Sequence, residues 1–235
     1  MTGTLTGVGL GPGDPKLVTM AGVEALQNAD TVYAPVSVTT EGEGFAEKIL
    51  SAYVAPERVV RLPFALRGPE REESWRDAAR VVAEPLRDGG RLAFATIGDP
   101  NTYSTFTYLA REVADLVPGA AVDTVPGVTA ASLLASRAGT VLCEHDEPLT
   151  IVPATAGEDV LDRALAGEGT VVIYKGGRHF DRLAEKIEAT GRVREIAFGT
   201  RLGTEGESVS KSLPQGREHY LSTVIVRLKE NGAHG

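Results

Sequence analysis

The sequence predicts an α/β protein of two domains, the first on a mostly parallel sheet and the second on a mixed sheet. Three observations predict it. The stretch Gly7-Val8-Gly9-Leu10-Gly11-Pro12-Gly13-Asp14-Pro15 joins a short apolar run to an apolar-periodic segment, as a tight loop joins a strand to a helix. Short apolar runs then alternate with amphipathic stretches as far as residue 115, the rhythm of parallel strands with helices on both faces. The last two apolar runs follow each other without a helix between them, which predicts an antiparallel pair.

The elements follow in order. Residues 4–9 read as the first strand. Leu17, Met20, Val23 and Leu26 recur as one stripe of a helix ending near Ala29, with Asp14 as its cap and Pro15 at its first position. Gly22 weakens that helix by about 1 kcal/mol relative to alanine. Residues 31–34 form a strand stopped by Pro35, 45–53 a helix and 58–62 a strand. Residues 70–87 form a long helix with Trp75, Ala78, Ala79, Val82 and Leu86 inward, and Pro85 is expected to kink it or end it a turn early. A strand at 91–95 and a helix at 104–115 complete the first domain.

Val117-Pro118-Gly119 is the expected boundary, giving domains 1–118 and 119–235. Beyond it come strands at 121–125, 149–152, 170–174, 195–199, 208–213 and 223–228. Helices are expected at 129–138, 159–165 and 180–190. A cleft between two such domains is a natural small-molecule site.

Bulk properties narrow the function. The 235 residues suffice for two small domains, and 42% hydrophobic with 24% charged residues is ordinary for a soluble globular protein. The net charge of −8 argues against a general nucleic-acid or anionic-membrane binder. Cys143 is the single cysteine, so no intrachain disulfide forms and a reducing cytoplasm is expected. Met1-Thr2-Gly3 lacks the basic start of a signal peptide, and no apolar run approaches the ~20 residues of a membrane span.

The glycine stretch is not a dinucleotide fingerprint. Read from Gly7, the G-x-G-x-x-G pattern needs glycine at Pro12, and from Gly9 it needs glycine at Asp14. Pro12 and Pro15 also remove two N–H donors from a loop that would have to cradle pyrophosphate. A second motif, Ala95-Thr96-Ile97-Gly98-Asp99-Pro100-Asn101-Thr102-Tyr103-Ser104-Thr105, again follows a strand and opens a helix. In a parallel sheet such loops lie at the carboxyl edge, where ligands bind. Asp99 there can accept bonds from ribose hydroxyls or backbone donors. Alternatively, Asp99-Pro100 forms a type I turn and Ser104 a helix cap. A third motif, Val125-Pro126-Gly127-Val128-Thr129-Ala130-Ala131-Ser132, has Thr129 as its N-cap.

In this order and spacing, G-x-G-P-G-D-P, G-D-P-x-x-Y-S-T and P-G-V-T-A-A resemble the tetrapyrrole (corrin/porphyrin) methylase family across nearly the whole chain. Tyr33-Ala34-Pro35-Val36-Ser37, Val171-Val172-Ile173-Tyr174-Lys175 and Tyr220-Leu221-Ser222-Thr223 resemble the branch acting on an early corrin precursor. Residues 38–44 depart from it, being acidic where that branch carries an arginine. The resemblance implies two αβα domains, a homodimer, and S-adenosyl-L-methionine folded into the interdomain cleft, leaving as S-adenosyl-L-homocysteine. It implies cofactor contacts at Pro12, Ile97, Gly98, Asp99, Thr102, Thr129, Ala130, Tyr174 and Lys175, and at Gly203 in a loop closing over the adenine.

The implied substrate is a tetrapyrrole bearing many carboxylates, not a nucleic acid or a membrane. Arginine pairs well with carboxylates, and Arg61 and Arg67 flank a strand end, with Ser37 ending the neighbouring one. From Arg71 onward, interleaved acids favour a solvated helix face. A sulfonium methyl is already activated, so no metal is expected. Acceptors for the proton that leaves the methylated carbon are Asp99, Tyr103, Glu144, His145, Asp146 or water. Cys143-Glu144-His145-Asp146 is crowded rather than spaced as metal ligands are. His179 lacks an accompanying nucleophile motif.

Overall fold

The run Thr4–Gly9 forms β1, an inner strand with hydrogen-bonded neighbours on both sides. With β2 (Thr31–Ser37), β3 (Val59–Phe64), β4 (Arg91–Thr96) and β5 (Ala121–Val125) it builds a sheet of order β3-β2-β4-β1-β5. All of these pairings are parallel. Helices α1 (Met20–Asn28), α2 (Phe45–Leu50), α3 (Arg71–Arg87) and α4 (Phe106–Leu116) lie between the strands in sequence. Strand alternation sorts the core into two layers. Leu5, Leu92 and Phe94 pack with Ala79, Val82, Leu86, Phe106 and Leu109 of α3 and α4. Val8, Ala93 and Ala95 pack with Leu26, Ile49 and Leu50 of α1 and α2. The computed structural model describes residues 2–37, 42–65, 71–177, 180–214, 216 and 218–229.

The second unit opens on α5 (Ala130–Ala138). Its other helices are α6 (Glu158–Ala166) and α7 (Phe180–Ala189), and its strands β6 (Leu149–Pro153), β7 (Thr170–Tyr174), β8 (Val193–Thr200), β9 (Ser208–Ser210) and β10 (Ser222–Leu228). The sheet order is β6-β7-β10-β8-β9. β6 and β7 are parallel, while β10 runs antiparallel to β7 and β8, and β9 antiparallel to β8. The sheet is therefore mixed, as the sequence predicts, but not through the expected pairing of the last two strands: β8 lies between β9 and β10, and each runs antiparallel to it rather than to the other. Leu161, Leu165, Leu183 and Ile187 of α6 and α7 cover one face. Helix α5 packs on β8, β9 and β10.

Several boundaries differ from expectation, each for a local reason. β5 belongs to the first sheet, pairing with β1 from Thr4↔Ala121 to Val8↔Val125. The chain divides into the units Met1–Thr129 and Ala130–Gly235, not at 118. Val117-Pro118-Gly119 is a helix-to-strand turn, with Ala120 N donating to Val117 O. Pro35 does not stop β2, because past Tyr33 that strand pairs only with β3 and the missing N–H leaves no ladder broken on the other side. Pro85 stays within α3. It lies in the last turn, and the carbonyl that loses its partner belongs to exposed Val81. Asp14 caps the 3₁₀ turn Pro15–Leu17 through Lys16 N at 2.9 Å, and Thr19 caps α1.

The acidic run near Cys143 has a structural partner. Arg227 of β10 is only 6% exposed. Its Nη2 donates to both carboxylate oxygens of Glu147, at 2.9 and 2.7 Å, and lies 3.8 Å from Glu144, while its Nη1 lies 3.8 Å from Glu195. Cys143 is exposed, and among the described residues no cluster of His, Cys, Asp and Glu is placed to hold a metal. No described helix is long and apolar enough to cross a membrane.

Candidate functional site

Because β4, β1 and β5 are adjacent and parallel, the three motif loops leave the same carboxyl edge side by side. They are fastened backbone to backbone. Leu10 N donates to Thr96 O at 2.8 Å, and Gly98 N to Gly11 O at 2.7 Å, with Gly11 N returning a bond to Gly98 O at 3.3 Å. A Cβ on Gly9 would stand 2.5 Å from Gly127 N and 2.7 Å from Gly98 O. One on Gly127 would stand 2.1 Å from Gly98 O. Gly9 and Gly127 thus meet each other and the Gly98 carbonyl where neither could carry a side chain. Reading the loops one at a time in the sequence identified the motifs but missed this contact between them. The signal for it was a glycine directly at the end of each strand or its loop.

Asp99 is the second fastener. Its Oδ2 accepts Gly127 N at 3.1 Å, and its Oδ1 accepts Asn101 N at 2.9 Å and Thr102 Oγ1 at 3.3 Å. One carboxylate therefore shapes its own loop and binds it to the loop after β5. Beneath it, buried Ser104 pairs with Thr96 through their hydroxyls at 2.9 Å and accepts Phe106 N at 3.1 Å. Ser104 therefore assists the start of α4, whose N-cap residue is Thr105.

The edge is open at Gly98. Gly98 has φ +74°, and a Cβ there would meet nothing within 4 Å. A ligand can approach the Gly98 backbone closely for that reason. Pro12 is buried in the neighbouring loop, while Ile97, Gly98, Asp99, Thr102 and Thr129 are half-buried. The segments 9–15, 96–105 and 126–130 contain two carboxylates, Asp14 and Asp99, and no lysine or arginine. Loops of that charge suit a ligand with a cationic centre and are poor hosts for pyrophosphate.

In the second unit, Ala131 N donates to the Tyr174 hydroxyl at 3.4 Å, tying the end of β7 to the first turn of α5 beside Ala130. Lys175 follows with φ +64° and its N–H on Ser222 O at 3.1 Å. Burial holds the Lys175 ammonium below the usual lysine range. Burial, and then the Arg201 guanidinium, push the His219 imidazole down as well. Gly203, at φ +74°, donates to Glu207 Oε2 at 2.6 Å, and Glu207 Oε1 accepts Arg137 Nε at 2.9 Å. The loop around Gly203 is thereby attached to the end of α5.

Ser37 ends β2 at the same carboxyl edge as the motif loops. Arg61 sits three residues before the end of β3 and is already engaged. Its Nε meets Glu47 at 3.2 Å and its Nη2 donates to Gly42 O at 2.7 Å. Sequence reading had no means of seeing Glu47 as that partner. Arg67, His179 and residues 38–41 lie outside the described residues.

The chain as a whole has recognisable relatives. Residues 4–214 match the family of tetrapyrrole (corrin/porphyrin) methylases. The chain is 32% identical to a precorrin-2 C(20)-methyltransferase of Sinorhizobium, over 95% of each chain. It is 27% identical to a cobalt-precorrin-2 C(20)-methyltransferase of Salmonella typhimurium, over 96% of this chain and 97% of that one. Its fold matches a uroporphyrin-III C-methyltransferase of Thermus thermophilus solved with S-adenosyl homocysteine, with a TM-score of 0.70, 23% identity, and coverage of 96% and 97%.

Proposed function

Because the chain belongs to the tetrapyrrole (corrin/porphyrin) methylase family, we propose that it methylates C20 of precorrin-2 in cobalamin biosynthesis, consuming S-adenosyl-L-methionine and releasing S-adenosyl-L-homocysteine. The observation that carries this reading is the likeness to the Sinorhizobium enzyme over nearly the full length of both chains. The motif edge supports it: the loops offer backbone groups, an open face at Gly98 and carboxylates without competing cations.

When bound, the cofactor supplies a methyl group already activated on a sulfonium. The protein's part is positioning, the main source of acceleration when both reactants are held in line. Pro12, Ile97, Gly98, Asp99, Thr102, Thr129 and Ala130 hold the cofactor mainly through backbone groups, with Tyr174, Lys175 and Gly203 contributing from the second unit. Asp99 acts by keeping the loops in register rather than as a proton acceptor, since its carboxylate already accepts three donors. Arg61, Arg67 and Ser37 receive carboxylates of the substrate. Arg61 must then share its charge between substrate and Glu47. The reading extends to a homodimer in the cytoplasm, supported by the family resemblance and the single cysteine. The reaction draws its activation from the sulfonium and requires no resident metal.

The Salmonella relative favours a second reading, in which the substrate carries cobalt. Purified protein and S-adenosyl-L-methionine, offered precorrin-2 and its cobalt-bound form separately without oxygen, test both by mass spectrometry. One methyl gained on the metal-free substrate supports the first reading. Gain on the cobalt form alone supports the second. Cofactor binding with gain on neither overturns both, leaving another macrocycle carbon or a binding module without turnover.

A further inference from the structure

Most arginines of the first unit are already committed. Arg58 and Arg87 donate to backbone carbonyls, Arg61 and Arg76 face Glu47 and Glu112, and Arg80 and Arg91 pair with Asp77 and Asp30. Among the described arginines of that unit, Arg71 and Arg111 alone have no carboxylate or carbonyl partner. For Arg71 the sequence supplies the reason. Side chains three and four places on share its side of a helix, and these are Ser74 and Trp75. Glu72 and Glu73 stand one and two places on, where helical neighbours do not face each other, and Asp77 pairs with Arg80. The ion-paired face expected from Arg71 onward therefore begins only at Arg76.

Arg71 is held by a ring instead. Its guanidinium carbon lies 4.9 Å from the centre of the Trp75 ring. Trp75 stacks in turn on Tyr108 of α4, with centroids 4.1 Å apart and planes 12° from parallel, and packs against the buried layer of α3 and α4. A guanidinium lying on an aromatic face keeps its in-plane N–H donors, the fork that matches a carboxylate. The fold also places that fork. Helix α3 begins at Arg71 and follows β3, so its first turn stands at the carboxyl edge of the first sheet. Ser74 Oγ accepts Ala65 N at 2.9 Å, fastening that turn just past the end of β3, and β3 ends beside Ser37. Arg71 is thus exposed at the same edge as the motif loops, with its donors unspent. We infer that Arg71 is a specificity-determining residue that receives a carboxylate of the substrate, with Trp75 and Tyr108 holding its guanidinium in place. The inference rests on the proposed tetrapyrrole substrate and its many carboxylates. Arg61 must share its charge with Glu47, whereas Arg71 gives up no acidic partner when a carboxylate arrives.

Three proteins test it: wild type, Arg71→Met and Arg111→Met. The Arg111 variant removes the same charge from the other unpaired arginine, on α4, and so controls for the overall field. Binding of oxidised precorrin-2 followed by its absorption, KM for precorrin-2, affinity for S-adenosyl-L-homocysteine and urea unfolding are measured on each, at low and at high salt. Arg71→Met should weaken tetrapyrrole binding and raise KM about fivefold at low salt and by less at high salt. Its affinity for S-adenosyl-L-homocysteine should stay within about twofold of wild type, and its urea midpoint should not move. Arg111→Met should match wild type throughout. Tetrapyrrole binding and KM unchanged in Arg71→Met overturn the inference, as does an Arg111→Met protein that loses as much as Arg71→Met. Because wild-type turnover is read in the same series, active wild type with either of those results refutes only the role of Arg71. A wild type that neither binds nor methylates a tetrapyrrole refutes the proposed function and this inference together.

Discussion

Two glycine-to-alanine substitutions at the motif edge should have opposite balances of stability and affinity. In Gly127→Ala the new methyl would stand 2.1 Å from Gly98 O, 2.8 Å from Gly9 Cα and 2.9 Å from Gly9 C. All three are backbone atoms, so no flexible side chain can yield and the loops must part by roughly 1 Å, at an overpacking cost of about 1–3 kcal/mol. The same movement strains the 3.1 Å bond from Gly127 N to Asp99, a charge-assisted bond worth about 1.5–3 kcal/mol. A loss of about 3 kcal/mol in urea unfolding is expected, with cofactor affinity falling because the loops no longer meet. In Gly98→Ala the methyl meets no protein atom within 4 Å. Stability then falls only by the cost of a left-handed alanine, about 1–2 kcal/mol. The methyl nevertheless occupies the space through which a ligand reaches the backbone, so affinity for S-adenosyl-L-homocysteine should drop about 30-fold or more, some 2 kcal/mol in calorimetric titration. Gly98→Ala binding that compound as wild type does would refute the reasoning, because no ligand would then lie over Gly98.

Other consequences follow from buried charge. The folded chain releases the Lys175 proton at lower pH than the unfolded chain does, because burial disfavours the ammonium. Between those two values the unfolded state holds the extra proton, so Lys175 makes stability rise with pH in the alkaline range and is a full liability below it. Lys175→Met should be the more stable protein at neutral pH, and its advantage over wild type should shrink toward about pH 10. Taking the difference cancels Tyr33, whose hydroxyl burial holds above its usual range. A constant difference in urea midpoint would place no titration at Lys175. In the second sheet, Glu147→Gln removes the charge that faces buried Arg227 at 2.7 Å. It should lower the unfolding free energy by leaving buried Arg227 short of a counter-charge, whereas Arg227→Met should cost less because part-exposed Glu147 can rehydrate. Equal losses in the two variants would contradict that ordering.

What the sequence disclosed, and what it hid, divides by range. Strands and helices were legible because period-two and helical repeats are local, and the three motifs because each loop writes its turn chemistry into neighbouring residues. Which sheet β5 joins was not legible, since its partner β1 lies more than a hundred residues earlier and periodicity names no partner. Pro35 reads as a stop only while β2 is taken to have neighbours along both sides. Arg61 looked free because nothing adjacent announces Glu47, and the acidic residues after Cys143 looked like a cluster in search of a ligand because Arg227 stands 80 residues away. The role of Asp99 was half-legible. The aspartate's acceptor chemistry was evident, but the donor from Gly127, 28 residues on, decides that it fastens loops together.

The most direct test of the account is to follow the methyl carbon itself. Wild-type protein, precorrin-2 and S-adenosyl-L-methionine labelled with ¹³C in the methyl group would be incubated without oxygen, and the product examined by NMR. The account predicts a single labelled methyl attached at C20, with one equivalent of S-adenosyl-L-homocysteine formed. Label on any other carbon, or none transferred although the protein binds the cofactor, would contradict it.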